Sequence, residues 1–286
     1  MFLIIGFRTT VEGVLLASLK LRQLPDAHLM FAEDLEELQR KIDFAGIEKD
    51  VELVGFGPTA SAMELAERVF GEHWNRHVKF SRRKEPDPIY FIDLVLRHAD
   101  CDPSDLVRNL SLSEDVASLF SGKTQLQKKF YRCMREVSLS YHRLCMFARP
   151  AFVRGILTAD IRPEHHIEDM FCRWLARKNP DLPVAVVHRN KAWIGNGHFV
   201  GLDRFIVVTS SFMGNLTAMN ASDEVEELWD IYYDSQMIDS RRNKKQAKKF
   251  QPKAASSVSG MSMKDRYKVE RGISPCKLGD FFDIST

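Results

Sequence analysis

The 286-residue sequence predicts an α+β fold: a helical N-terminal lobe, then a small, mainly antiparallel β-sheet with flanking helices, then a basic C-terminal tail. Three observations carry that expectation. Up to Met146 apolar residues recur three and four apart, the period of a helix with one buried face. After Pro150 the pattern turns to alternation and short β-branched runs, the period of a strand. From Ser240 the chain is basic and then rich in Ser and Ala, with too little apolar side chain to build a core.

The elements follow in order. Residues 1–7 read as a first strand, since this apolar run has neither the length nor the basic lead of a secretion signal. Thr9 or Thr10 then caps a helix whose apolar side carries Leu15, Leu16, Leu19 and Leu21. Amphipathic helices are expected over 32–44 and 60–71, a polar loop over 72–88, and further helices over 89–99, 103–110 and 112–121. The clearest helix runs from Thr124 to Met146, with Leu126, Phe130, Cys133, Met134, Val137, Tyr141, Leu144 and Cys145 on its apolar side. Pro150 prevents its continuation. Phe152 to Ile161 alternates as a strand, and a helix over 164–178 turns Ile167, Met170, Phe171, Trp174 and Leu175 inward. Val184–His188 and Lys191–Ile194 form a hairpin around Arg189-Asn190, Phe205–Thr209 is another strand, and 223–239 is a last helix. The organisation is therefore 1–150, 151–243 and a tail over 244–286.

Composition restricts the setting. No apolar run reaches the roughly 18–20 residues of a membrane span. The five cysteines are Cys101, Cys133, Cys145, Cys172 and Cys276; they form no C-x-x-C pair, so neither a disulfide framework nor a cysteine zinc site is expected. The expectation is a cytoplasmic, reducing location, with no metal and no cofactor. The net charge of +2 hides an asymmetry: residues 241–286 hold 12 Lys and Arg against 4 Asp and Glu, leaving −6 on the rest. A basic tail on a mildly acidic body points to an anionic partner, DNA or RNA; its plain alternative is a solvated terminus.

Several segments in sequence carry a family resemblance: Thr10-Val11-Glu12-Gly13-Val14-Leu15; His142-Arg143 with Phe147; Ala159 through His165; Asn179-Pro180-Asp181-Leu182-Pro183; Leu228-Trp229 with Tyr232; and Arg241-Arg242-Asn243 with Gln246 and Pro252. Over about residues 1–253 the chain resembles the domain of unknown function 4130 family, also labelled "probable DNA metabolism protein". The resemblance implies work on damaged or modified bases, alongside a radical-SAM partner and in the company of uracil-DNA glycosylases. It implies no established chemistry. The chain departs from the family pattern at Gln251-Pro252-Lys253-Ala254-Ala255-Ser256 and in the loop around 72–88.

Five groups of residues are candidates for function. Lys128, Arg132, Arg135 and His142 share one helical face, with Arg143 and Arg149 beside it; a row of cations suits the phosphates of a nucleic acid, and its alternative is a solvated face. No acidic residue is expected on that face, Glu136 lying off it. Arg241, Arg242, Asn243, Lys244, Lys245 and Lys248 form a second, sequence-tolerant backbone contact. Asp160, Glu164, His165, His166, Glu168 and Asp169 could supply a general base, with Asp160 and Glu164 the catalytic candidates of a base-processing hydrolase or glycosylase; the alternative is the ordinary acidic start of a helix. Trp193 through His198 could stack on a flipped base, or Trp193 could be core. At the terminus, Leu278, Phe281 and Phe282 have the spacing of a sliding-clamp-binding peptide, with Pro275 where a Gln usually leads; the alternative is a segment folded back on the body.

The leading expectation is a DNA-repair or DNA-modification factor that binds nucleic acid and acts with a sliding clamp and a radical-SAM protein. The alternatives are the base-processing enzyme and an RNA-modification accessory protein.

Overall fold

The computed structural model describes residues 3–46, 50–71, 88–113, 119, 124–153 and 155–209. The chain divides into two units between Ser138 and Leu139.

The first unit is built on a three-stranded parallel sheet. Strand β1 (Ile4–Arg8) is central, with β2 (His28–Ala32) and β3 (Val51–Val54) on either side. Parallel neighbours need long crossovers. Helix α1 (Val11–Gln23) supplies the first and α2 (Leu35–Phe44) the second. Ile5 and Phe7 of β1 are wholly buried, as a strand flanked on both edges should be. Of these strands only the first was legible in the sequence. β2 reads as a continuous half-buried apolar run and β3 has four residues, so neither shows a strand period.

Thr10 caps α1 by accepting a hydrogen bond from the Gly13 N–H at 3.1 Å. Gly13 has no room for a side chain: a Cβ there would lie 2.1 Å from the Arg8 carbonyl oxygen. Gly55, at a φ of +79°, closes over the same point from the end of β3, where its own Cβ would meet the Gly13 Cα at 2.7 Å. The helix start is thus wedged between two strand ends.

Helices α3 (Ala62–Phe70), α4 (Pro88–Leu96) and α5 (Pro103–Leu112) complete the described part of this unit, together with the first half of α6 (Gln125–Phe147). α3 opens with a reciprocal cap between Ser61 and Glu64. α5 runs through 112, and 114–118 and 120–123 lie outside the described residues, as does 72–87. Arg22, in the last turn of α1, spreads its guanidinium over four carbonyls. It donates to Ser111 at 2.9 Å, Leu110 at 3.2 Å and Ser113 at 2.7 Å, and to Val69. These are the exposed carbonyl ends of α3 and α5, which a helix leaves without internal partners.

The second unit holds a five-stranded mixed sheet ordered β4-β5-β6-β7-β8. The expected strand over 152–161 is two strands, β4 (Ala151–Val153) and β5 (Ile156–Asp160), which pair antiparallel across a turn containing Gly155 at a φ of +83°. β6 (Val184–His188) runs parallel to β5, and α7 (Glu168–Lys178) is their crossover. β7 (Lys191–Gly195) and β8 (Phe205–Thr209) follow antiparallel. The chain is accordingly α+β, with the second sheet mainly antiparallel. Among the described residues no helix is long and apolar enough to cross a membrane. The expected helix over 223–239 lies outside the described residues.

α7 packs on β6 and β7 with Phe171, Cys172 and Leu175 buried, each contributing roughly 1.5–3 kcal/mol of burial for the large side chains. Met170 and Trp174, expected inward, are half-buried, and Trp174 stacks on Phe171 at 5.5 Å. Gly195 allows the close approach: a Cβ there would lie 2.9 Å from Ala176 Cβ and 3.0 Å from Val184 Cγ2.

Replacing Arg22 by Ala should lower stability by about 1–3 kcal/mol, since several carbonyls lose a charged donor. Arg22→Lys should restore only part of that loss, because an ammonium cannot span the ends of two helices as a planar fork does. Urea-denaturation midpoints of the three proteins check both statements.

Candidate nucleic-acid interface and a histidine–carboxylate pair

α6 confirms the apolar spacing of its sequence: Phe130, Cys133, Met134, Val137 and Leu144 are buried. Tyr141 and Cys145 are half-buried, and Leu126 is exposed. With about 3.6 residues per turn, the opposite face falls on Lys128, Arg132, Arg135 and His142, all exposed. Arg143, beside it, is half-buried.

Two details revise the expected face. Glu136 is not off it: its carboxylate reaches within 3.9 Å of Arg132 Nε. The same carboxylate accepts from His98 Nε2 at 2.9 Å, while His98 Nδ1 accepts from the Asp100 N–H at 3.1 Å. A ring that accepts at Nδ1 carries its proton on Nε2, so the histidine is the donor in this contact. Arg149 lies beyond the helix and donates to the Met146 and Ala148 carbonyls at 3.1 and 3.4 Å, the work of a helix C-cap. The same exposed face also carries Leu139 and Met146. Lys129, on the flank, pairs with Asp105 at 2.6 Å.

Arg241, Arg242, Asn243, Lys244, Lys245 and Lys248 lie outside the described residues, as do Leu278, Phe281 and Phe282.

Within the acidic group beside α7, Asp160 and Glu168 fall on opposite faces of the sheet. Register and strand alternation put Asp160 on the same side of the sheet as Val187, Ala192 and Val208. Gly195 meets α7, so its partner Val184, together with Val186 and His188, lies on the α7 side. Asp160 is thus exposed on the face away from α7, and Trp193 stands on the α7 face two strands away. The two cannot line one pocket. Glu164 and His166 are exposed, His165 is buried and Asp169 half-buried.

Glu168 is where the structure adds something. It sits buried in the first turn of α7, and its carboxylate lies 2.6 Å from Nδ1 of His188 at the end of β6. The two side chains keep 10% and 14% of their surface, so the pair is almost enclosed but reaches solvent at one edge. A carboxylate on Nδ1 fixes ring orientation and leaves Nε2 as the working nitrogen. His188 was not among the sequence candidates. The only signal for it was a titratable residue closing an otherwise apolar strand, and its partner is 20 residues away across a helix crossover.

The segment from Trp193 to His198 serves the fold. The Trp193 carbonyl accepts from the Cys172 thiol at 3.2 Å. Asn196, left-handed at a φ of 54°, donates to the carbonyls of Ala176, Asn179 and Leu182 at 3.1, 2.9 and 3.0 Å, closing the end of α7. His198 is exposed and lies against Phe199, ring centroids 4.2 Å apart.

The family described as "Domain of unknown function (DUF4130)" matches residues 108–256, just over half of the chain. No curated protein matches. Among solved structures, the pGpG-specific phosphodiesterase PggH from Vibrio cholerae is 9% identical, with 68% of this chain and 81% of that chain covered at a TM-score of 0.39, too slight a likeness to assign anything from.

Burial pushes the Cys101 and Cys172 thiols up to about 12, and raises Cys133 and Cys145 as well. The thiolate is the reacting form, so none of the four is suited to nucleophilic work at neutral pH. Cys101 and Cys172 should resist iodoacetamide at pH 7.5 in the folded protein and react only after denaturation, as peptide mass mapping will show. Rapid alkylation of either in the native state contradicts the packing described.

Proposed function

Because the chain belongs to the domain of unknown function 4130 family, whose description states no activity, its function has to be read from its own surface, and we propose that it is a nucleic-acid-binding DNA-repair or DNA-modification factor. The observation that carries this is the set of cations on α6. Lys128, Arg132 and Arg135 are exposed within two turns of one helix, and among the described residues Arg132 alone of the three has an acidic neighbour, at a distance too long for a strong pair. Helix rise places Lys128 and Arg135 about 10 Å apart, a span that crosses successive phosphates of one strand. The tail cations between Arg241 and Lys248 would extend the contact.

The enzyme alternative rests on Asp160 or Glu164, and Asp160 projects from the sheet face opposite the one that carries Glu168 and His188. In the proposed reading the chemistry on the base belongs to a partner, of radical-SAM type, and the present chain supplies nucleic-acid contact. Leu278, Phe281 and Phe282 supply a second attachment, to a sliding clamp.

Affinity for a DNA duplex should fall steeply with salt, by about 0.9 in log–log slope per phosphate neutralised. Arg132→Ala with Arg135→Ala should flatten that slope by about two and leave the melting temperature unchanged, because exposed cations contribute little to folding. Fluorescence anisotropy over a salt series, with DNA and RNA of equal length in competition, measures both; a salt-independent signal sinks the proposal, and RNA preference favours the accessory role.

A peptide of residues 268–286 should bind the cognate clamp at about micromolar strength, with Leu278, Phe281 and Phe282 on one turn. Replacing Phe281 and Phe282 by Ala should abolish binding in calorimetry. Equal binding by the substituted peptide removes the clamp from the proposal.

A further inference from the structure

The hairpin turn joining β6 to β7 reads His188-Arg189-Asn190-Lys191, and three of its four residues are basic. His188 and Lys191 are directly opposed in the ladder, so their side chains leave the same face of the sheet, the α7 face. Two groups that can both be cationic are placed as neighbours, which is unfavourable unless something negative is shared between them. Glu168 meets one side of that requirement, at Nδ1 of His188. Among the described residues Nε2 has no hydrogen-bond partner, and Arg189 and Lys191 have neither a carboxylate nor a carbonyl for their charged ends.

Arg189 adds an independent observation. It holds a φ of 55°, the left-handed region that suits Gly or Asn and that a long side chain adopts at a cost. A bare turn would gain by placing Gly there, and Asn190 stands one position later, where φ is not positive. Arg189 directly follows His188 at the carboxyl end of β6. That is the end at which the one parallel strand pair of this sheet, β5 with β6, receives its crossover helix, and such ends are where α/β units hold ligands.

We propose that this turn is a phosphate-binding site in the second unit, in which Arg189 and Lys191 supply the charge and His188, held at Nδ1 by Glu168, presents Nε2 to a phosphate oxygen. The ligand is a phosphate monoester or a phosphodiester, and the site makes no use of the cations of α6. Arg189 matches a phosphate through two parallel N–H donors, Lys191 as a point charge. His188 contributes a positioned donor, which the buried carboxylate keeps in one orientation.

The test uses the full chain. Inorganic phosphate, a 5′-phosphorylated oligonucleotide and the same oligonucleotide without its terminal phosphate are titrated while the His188 imidazole nitrogens are followed by NMR. Inorganic phosphate should shift Nε2 saturably. Response to the phosphorylated oligonucleotide alone assigns the site to terminal phosphates, and response to both assigns it to the internal backbone. Arg189→Gly is the informative variant, since glycine suits the φ of 55° and removes the charge without a folding penalty. Arg189→Gly with Lys191→Ala should weaken phosphate about tenfold per cation lost, with an unchanged or raised melting temperature. Arg132→Ala with Arg135→Ala should leave the His188 response intact, whatever it does to total DNA affinity. No shift at His188 under saturating phosphate, or equal phosphate affinity in the Arg189→Gly, Lys191→Ala protein, overturns the site.

Discussion

Much of the second unit depends on how closely one helix lies on its sheet. A single methyl group at Gly195 would strike Ala176, so α7 sits nearer to β6 and β7 than an average side chain allows. Asn196 then ties the far end of the helix by donating to three carbonyls. With one end locked and the body pressed down, the first turn has little freedom. Glu168 is thereby delivered to His188 at 2.6 Å, a contact that a looser helix would trade for water. The pair is therefore a consequence of backbone packing at the opposite end of the element, not of a local sequence motif.

That origin explains what could be read in advance. Helix α6 was legible to within a residue or two, because its apolar face is long and regular and Pro150 ends it. The hairpin of β6 and β7 was legible because Arg189-Asn190 falls between two short, largely apolar runs. β2 and β3 were not, because a strand of four or five residues in a parallel sheet shows no alternation to detect. The site was half legible. Composition found Glu168 among the acidic residues at a helix start, but the property that matters, burial against a histidine 20 residues on, comes from a crossover whose geometry no local pattern encodes. The same blindness grouped Asp160 with Glu168, because sequence nearness cannot show that two residues fall on opposite faces of a sheet.

Electrostatics separates cations that serve the fold from cations that do not. Arg22 and Arg149 hold carbonyls at helix ends, Lys129 holds Asp105, and Arg173 lies over the Phe205 ring at 3.9 Å. Each of these would be spent before any ligand arrived. Lys128, Arg135, Arg189 and Lys191 have no such use among the described residues. An exposed cation with no partner costs the fold almost nothing, so its presence alone is weak testimony. What gives weight is arrangement: a shared helical face in one case, and in the other a hairpin end where His188 and Lys191 are directly opposed with Arg189 between them.

The segments that carry the family resemblance divide along the same line. In Thr10-Val11-Glu12-Gly13-Val14-Leu15, Thr10 is a cap, Gly13 is forced by the Arg8 carbonyl, and Val14 and Leu15 are buried, so the segment is explained by the seating of α1. In Asn179-Pro180-Asp181-Leu182-Pro183, the carbonyls of Asn179 and Leu182 receive the Asn196 side chain, so this segment closes α7. In Ala159 through His165, the buried positions are Ala159, Ile161 and His165, and the remainder face outward. His142 is different: it stands exposed on the face that Lys128 and Arg135 occupy, and no fold requirement accounts for it. A stretch that the fold does not explain is where function has to be sought, and in the described part of this chain that criterion points to the exposed face of α6.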